Sequence, residues 1–517
     1  VSRVLPKLKP LDPMKKVVLR EVTQGVQSVI ARSMGWHVPG VAPLGPDFDD
    51  VETIVGGAKK RLLGKIEKME PEKARRFREF VRVWLDKNVA QLPPDQEFDF
   101  EEWLAGTHYS EKRKEHLRKA RVYFLQNKDK KNKSFVKHEW YDVPKWARWI
   151  NSRTDAAKTY FGPFFKAIEK VLYRYPAFIK HVPVEDRAKY IKDMLYRDGA
   201  TYLGTDHSNF ELHDTPEIMS ICELQLYSHV LGKCILARDF LATVHNTLPA
   251  RQTCANKRVV LKTWARMSGD MCTSLGNGFV NLMAILFIAS ENGWLDRCQC
   301  VVEGDDAVLR KEGPMDVGDF EALSFDIKLT KESNLGKVGF CCLFFSDDKP
   351  ENLVDPVKVV ARSGWTNSVA LHGGPRIMAS LSRAKAFSLL CEAPTNPITS
   401  KMALWILRAT EGVKTAPALL DRAPWWAQRI ELSNVEKCIE KARAGPSNGQ
   451  RVFVAEKWGI PISDQIEVEK WFDQQNELVP MDHPALIRLC KSQLPWWAWS
   501  WDTLSSVSRV GDPWCTC

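Results

Sequence analysis

Residues 301–310 read VVEGDDAVLR, and how this stretch is read decides the fold. Val301 and Val302 precede a glycine; Ala307, Val308 and Leu309 follow two adjacent carboxylates. Short apolar runs flanking a turn predict a β-hairpin with Gly304 at its tight corner and Asp305 and Asp306 at its tip. Glycine and aspartate are ordinary turn formers, so the corner taken alone is also what a plain hairpin would carry. Two neighbouring anions repel, however, and a hard divalent cation offsets that repulsion well. Mg2+ binds through one or two carboxylates plus substrate phosphates, and a pair of such ions needs a further carboxylate from another strand.

The segment ATYLGTDHSNFELHDTPE (200–217) supplies one. An apolar strand through Tyr202 and Leu203 ends near Asp206, followed by Phe210, Glu211 and a helix start near Thr215-Pro216. An isolated aspartate at that position would also serve as a simple strand-end cap. Between the acidic segments lies WARMSGDMCTSLGNGFVNLMAILF (264–287). Ser268-Gly269 predicts a flexible turn. The helix that follows places Thr273 and Asn277 on one face, while Leu275, Phe279, Leu282, Met283 and Leu286 pack inward. Hydroxyl and amide groups both donate and accept, as reading a ribose 2′-OH requires; a packing detail is the alternative.

The whole-chain totals set the frame. With 44% hydrophobic and 27% charged residues in 517, the chain is a folded, water-soluble protein of several lobes. A formal net charge of +10 favours polyanionic partners, and the surplus is concentrated: residues 111–137 hold eleven Lys or Arg against three acids. Further on, SFVKHEWYDVPKWARWINSR (134–153) interleaves Lys137, Lys145, Arg148 and Arg153 with Trp140, Tyr141, Trp146 and Trp149. That pattern suits phosphate neutralisation with base stacking, or an amphipathic strand whose tryptophans are core. No stretch has the uninterrupted apolar length of a membrane span. The thirteen cysteines form no C-x-x-C and read as reduced, cytosolic thiols. Val1 in place of an initiating Met suggests a processed or excised product.

Residues 1–99 mix helical segments with Pro/Gly breaks and read as an N-terminal extension. A basic helix is expected from Ser110, as N-cap, to about Leu125. Residues 200–350 alternate short strands with helices. Beyond 351 the pattern turns mostly helical and carries eleven of the nineteen tryptophans, which are expected to fill a core.

Asp206-x4-Glu211, Ser268-Gly269-x3-Thr273-x3-Asn277 and Gly304-Asp305-Asp306, in that order, resemble motifs A, B and C of viral RNA-dependent RNA polymerases. RMSGDMCTSLGN in particular resembles the tombusvirus-like group of positive-strand RNA viruses. The order argues against permuted polymerases, and Gly304 argues against reverse transcriptases, which usually carry an aromatic-x-Asp-Asp. Residues 98–120 resemble the template-side segment G; Lys145, Arg148 and Arg153 resemble the basic motif F that holds incoming triphosphate. FDIKLTKE (325–332) resembles motif D, whose lysine assists pyrophosphate departure; Lys328 and Lys331 both fit. VGFCCLFF (338–345) resembles the motif E hairpin. Glu211 departs from the aspartate usual at the second acid of motif A, moving that carboxylate outward by one methylene.

The resemblance implies an α+β right-hand polymerase fold. Its parts would be an N-terminal extension (1–99), fingers with template- and NTP-binding segments (100–200), a palm with motifs A to E (201–350) containing a fingers insertion (235–265), and a helical thumb (351–517). It implies Asp206, Asp305 and Asp306 as catalytic metal ligands for two Mg2+ ions, with Mn2+ as a substitute. It implies Glu211, Ser268, Gly269, Thr273, Asn277 and the motif F cations as nucleotide-binding residues. RNA template and product, ribonucleoside triphosphates and other viral replication proteins are the implied partners. The implied place is the host cytoplasm, at membrane-associated replication complexes reached through those partners. Readings from other classes are a non-catalytic RNA-binding replication scaffold and a reverse transcriptase.

Overall fold

The computed structural model describes residues 15–18, 28–121, 131–367, 373–414 and 432–507. Among them are eleven strands: β1 (Lys15–Val18), β2 (Ser28–Ser33), β3 (Lys131–Val136), β4 (Trp149–Arg153), β5 (Thr201–His207), β6 (Gln252–Ala255), β7 (Val260–Thr263), β8 (Gln299–Glu303), β9 (Asp306–Lys311), β10 (Ile327–Glu332) and β11 (Trp365–Thr366). They form three sheets, ordered β10-β5-β9-β8, β4-β3-β6-β7 and β1-β2-β11. Helices make up most of the remainder, so the architecture is α+β.

The β10-β5-β9-β8 sheet is antiparallel throughout and is covered on both faces. Leu203, Ala307, Leu309, Cys300 and Val302 join the core around the Thr273–Glu291 helix. Tyr202, Val308 and Val301 face the other way, against Ile191 and Leu195 of the Arg187–Leu195 helix and Val338, Phe340 and Phe345. A sheet buried on both sides needs apolar residues at consecutive positions. This is why VV and AVL flank the acids without hydrophobic–polar alternation.

The Thr273–Glu291 helix is long and apolar enough to cross a membrane by composition alone, but 83% of it is buried inside this protein. It is the central strut of the core. A polar knot is set at its foot: the Arg266 guanidinium donates to Glu223 (2.8 Å) and to the Cys272 carbonyl (2.9 Å), with Asp214 at 3.8 Å. All three side chains are about fully buried. Burial first, then the Glu223 charge, raises the Asp214 carboxyl well above its usual range. Gly276 makes the room: a Cβ there would sit 2.1 Å from Arg266 Nη2 and 2.4 Å from Glu223 Oε2.

In the β4-β3-β6-β7 sheet, residues 252–263 are brought beside 131–153 by parallel pairing of β6 with β3. The basic helix starts where expected, Ser110 Oγ accepting from the Arg113 N–H (3.3 Å), and runs Glu111–Arg121. The lysines at 128–130 and the expected helix end at Leu125 lie outside the described residues. Residues 31–44 do not stand apart from the C-terminal helices but are built into their core. Trp36 donates to Ser382 Oγ (2.9 Å), and the Trp497 indole to the Tyr141 carbonyl (2.7 Å). Trp36, Trp365, Trp405 and Trp497 are fully buried there, as expected for large aromatics in a helical core.

The polar knot generates a stability prediction. Arg266→Met leaves Glu223 buried without its cation and should cost about 3–5 kcal/mol in chemical denaturation. Asp214→Asn keeps the shape and removes a carboxyl whose ionised form burial disfavours, and it should lower the denaturation midpoint much less than Arg266→Met does.

Candidate active site

Antiparallel register brings the acids together. β5 pairs with β9 so that Thr205 lies across from Ala307, which sets the next residues outward, Asp206 and Asp306, side by side on one face. Glu303 is across from Asp306 on the far side, and the turn Gly304–Asp305 closes the hairpin, Gly304 taking the left-handed φ of +59° that the corner requires. Asp206 and Asp305 reach solvent and Asp306 is half-buried. Loss of hydration among its neighbours, then the Glu211 charge and less so that of Asp206, raises the Asp305 pKa. Burial, then the Asp305 charge, pushes Asp306 up to about 7.

Two neighbours hold the tip in place. Asn281, one turn beyond Asn277, donates from Nδ2 to the carbonyls of Asp305 (2.9 Å) and Gly304 (3.3 Å), while its Oδ1 meets His207 Nε2 (3.2 Å). Burial keeps His207 neutral, its pKa pushed down to about 4. On the other side the Phe340–Leu343 turn, at the position resembling motif E, sets Cys341 against Asp306. The sequence reading missed Asn281. Its signal was an i, i+4, i+8 polar row, Thr273, Asn277 and Asn281, on a helix otherwise nearly all apolar.

Register also separates two lysines that the sequence left equivalent. Lys328 lies directly across from Asp206 and shares its face; Lys331 is across from Leu203 and points to the opposite face.

The motif F cations divide too. Arg148 is exposed and doubly bonded to Glu139, and Lys145 lies over the Tyr141 ring, 4.8 Å from its centroid. Arg153 is buried, paired through Nε with Asp270 (2.6 Å) in the turn after Ser268-Gly269. It therefore ties β4 to that turn and does not present itself to a ligand. The Asn151 N–H donates to the Ser268 carbonyl (2.5 Å) beside it. Gly269 has φ of +106°, and a Cβ would press Ile150 at 2.7 Å. Stacking aromatics were one reading of 134–153; Tyr141 and Trp149 are buried in packing, so the cations and not those rings face outward. Thr273 Oγ1 donates to the Met267 carbonyl (2.8 Å). The Asn277 Oδ1 is buried with no hydrogen-bond partner and is not joined to Glu211. Glu211 instead faces Asp305, Arg148 and Arg61 electrostatically.

The donors suit a hard cation: carboxylate oxygens gathered at one sheet end. Among the described residues no three acidic, His or Cys side chains already enclose one point. An ion held here would thus complete its shell with phosphate and water oxygens, as Mg2+ ordinarily does.

Residues 94–342, which contain all of these acids, match the family model described as viral RNA dependent RNA polymerase. This is the class that the motif order resembles. Among curated proteins the chain is similar to the RNA-directed RNA polymerase of Oat chlorotic stunt virus (isolate United Kingdom), 24% identical over 393 residues. The alignment covers 66% of this chain and 49% of that relative, so the chain spans about half the length of the curated relative it matches.

With its carboxyl held near 7, Asp306 loses stabilising protonation in the fold as pH rises from about 4 to about 7, because the unfolded chain ionises first. In chelator, Asp306→Asn should therefore raise the thermal midpoint at pH 8, with the gain vanishing near pH 4. Calorimetric scans at the two pH values check this.

Proposed function

We propose that the chain is an RNA-directed RNA polymerase that replicates a viral RNA genome. The observation that carries the reading is the meeting of Asp206 with Asp305 and Asp306 at one sheet end, from segments far apart in sequence. On this reading the β10-β5-β9-β8 sheet is the palm, the β4-β3-β6-β7 sheet with residues 235–265 belongs to the fingers, and the helices after 351 form the thumb.

Asp206, Asp305 and Asp306 would hold two Mg2+ ions, whose chemistry when bound is to acidify the growing strand's 3′-hydroxyl and stabilise departing pyrophosphate. The chain's own side chains do the rest. Arg148 and Lys145 draw the triphosphate toward the acids. The unpartnered Asn277 Oδ1, beside Thr273, accepts from the ribose 2′-OH and so selects ribonucleotides. Lys328, sharing a face with Asp206, is the cation placed to give a proton to pyrophosphate.

RNA binding has its own support. Register puts Lys131, Lys133, Phe135, Val260 and Lys262 on one open face of the fingers sheet. Phe135 is 47% and Val260 68% exposed among those cations. Charge with interspersed apolar surface fits single-stranded RNA. The protein would work in the host cytoplasm, at replication membranes reached through other viral proteins.

A template-dependent extension assay with purified protein tests the reading. Asp305→Ala should abolish incorporation while RNA affinity stays within about twofold, since phosphate contacts lie elsewhere. Lys328→Ala should slow incorporation by about 100-fold, the range of a lost general acid, with Lys331→Ala near wild type. RNA binding without any Mg2+-dependent incorporation would point to a scaffold, and preference for deoxyribonucleotides to a reverse transcriptase.

A further inference from the structure

We infer that Arg61, in a segment outside the matched family region, completes the phosphate-binding wall and grips the triphosphate of the incoming ribonucleotide; this rests on the polymerase reading. The Val51–Leu62 helix carries Gly56-Gly57, and the pair lets its backbone press on the segment just before β4 that bears Arg148. A Cβ at Gly56 would sit 2.2 Å from the Trp146 ring, and one at Gly57 2.4 Å from the Ala147 carbonyl oxygen. The Trp149 indole donates to the Ile54 carbonyl (3.0 Å), locking the same contact. Just past the helix end, a Cβ on Gly64 would lie 2.6 Å from Leu212, the neighbour of Glu211. Arg61 is one turn beyond Gly57 and hence on the face that meets residues 146–148, between Arg148 and Glu211.

What singles Arg61 out is its lack of a partner. Its Nε is buried with no hydrogen bond, and no ion pair joins its guanidinium among the described residues. Burial first, then the Arg148 charge, disfavours its cationic form, while Glu211 and Glu139 only partly oppose. By contrast Arg148 is tied to Glu139 and Arg153 to Asp270. A crowded cation with free donors beside another cation is relieved by an arriving anion, and the planar guanidinium fork matches phosphate oxygens. The plainer role is to complement the carbonyl end of its helix, alongside Lys59 and Lys60. A lysine would fill that role equally well.

The two roles separate in the full-length chain. In single-nucleotide extension, Arg61→Ala should raise KM for the ribonucleotide about 10-fold, one charge-assisted hydrogen bond, with kcat changed less than about threefold. Arg61→Lys should recover part of the loss, and exposed Lys60→Ala should change neither. The thermal midpoint of Arg61→Ala should not fall. Calorimetry with inorganic tripolyphosphate, in an Asp305→Ala background, should show binding that disappears when Arg61→Ala is added. An unchanged KM with a lowered midpoint, or tripolyphosphate binding indifferent to Arg61, overturns the inference. A wild type that incorporates no nucleotide yet binds tripolyphosphate through Arg61 sinks the polymerase reading and leaves the anion site standing.

Discussion

The antiparallel register between β5 and β9 is the constraint on which the site depends. Side chains in a strand alternate with a period of two, so a slip of one residue would send Asp206 to the face occupied by Leu203 and Ala307 and put those residues among the acids. Because both faces of this sheet are covered, such a slip would expose apolar surface on either side at once. The packing that stabilises the sheet thus also fixes which carboxylates meet. Asp305 and Asp306 oppose the fold when ionised, as their raised pKa values show, and their position is maintained by groups that have no such conflict: Asn281 on the tip carbonyls and Arg187 on Glu303.

The Glu303 pairing shows how the repulsion is contained. Glu303 is across the hairpin from Asp306 and would add a fourth negative charge to the cluster. Arg187, nearly buried, donates to it at 2.5 Å and neutralises it. Among the described residues the carboxylates left without an ion pair here are Asp206, Asp305, Asp306 and Glu211, where a cation or a cation-bearing substrate can act on them. The Arg266 knot pairs charge in the same way beneath the Thr273–Glu291 helix.

Much of this was legible in sequence, for identifiable reasons. A glycine corner between valine runs, a polar pair at helical spacing and two separated acidic segments are local patterns, and each became the element it suggested. What could not be read was relational. Nothing local distinguishes Lys328 from Lys331; only the pairing of β10 with β5 puts one across from Asp206. Nothing local marks Arg153 as buried, since its partner Asp270 arrives from a distant turn. The interleaved aromatics of 134–153 suggested stacking because Trp and Tyr serve cores and ligands equally well; Tyr141 and Trp149 are buried in the core, while Trp140 and Trp146 are half-buried. Residues 31–44 carried no signature because their role is to fill the C-terminal core ahead of the helix that bears Arg61.

Pairing state sorts the cations around the site better than their position in the sequence does. Arg153, Arg187 and Arg266 are buried and matched by carboxylates, and each joins two segments that must keep their spacing. Lys328 and Arg61 carry no ion pair among the described residues, and both lie beside acids of the cluster. A matched, buried pair contributes rigidity and has little left to offer a ligand, because its hydrogen-bonding capacity is spent inside the fold. An unmatched cation at the edge of an anionic cluster is the reverse: it adds little to the fold and holds its donors ready. Glu211 sits where the two kinds of charge meet. Its carboxylate acts on Arg148 and Arg61, while the buried amide oxygen of Asn277 has no hydrogen-bond partner among the described residues. The substitution of Glu for the usual Asp and the presence of an arginine from the N-terminal segment are, on this view, two halves of one electrostatic arrangement.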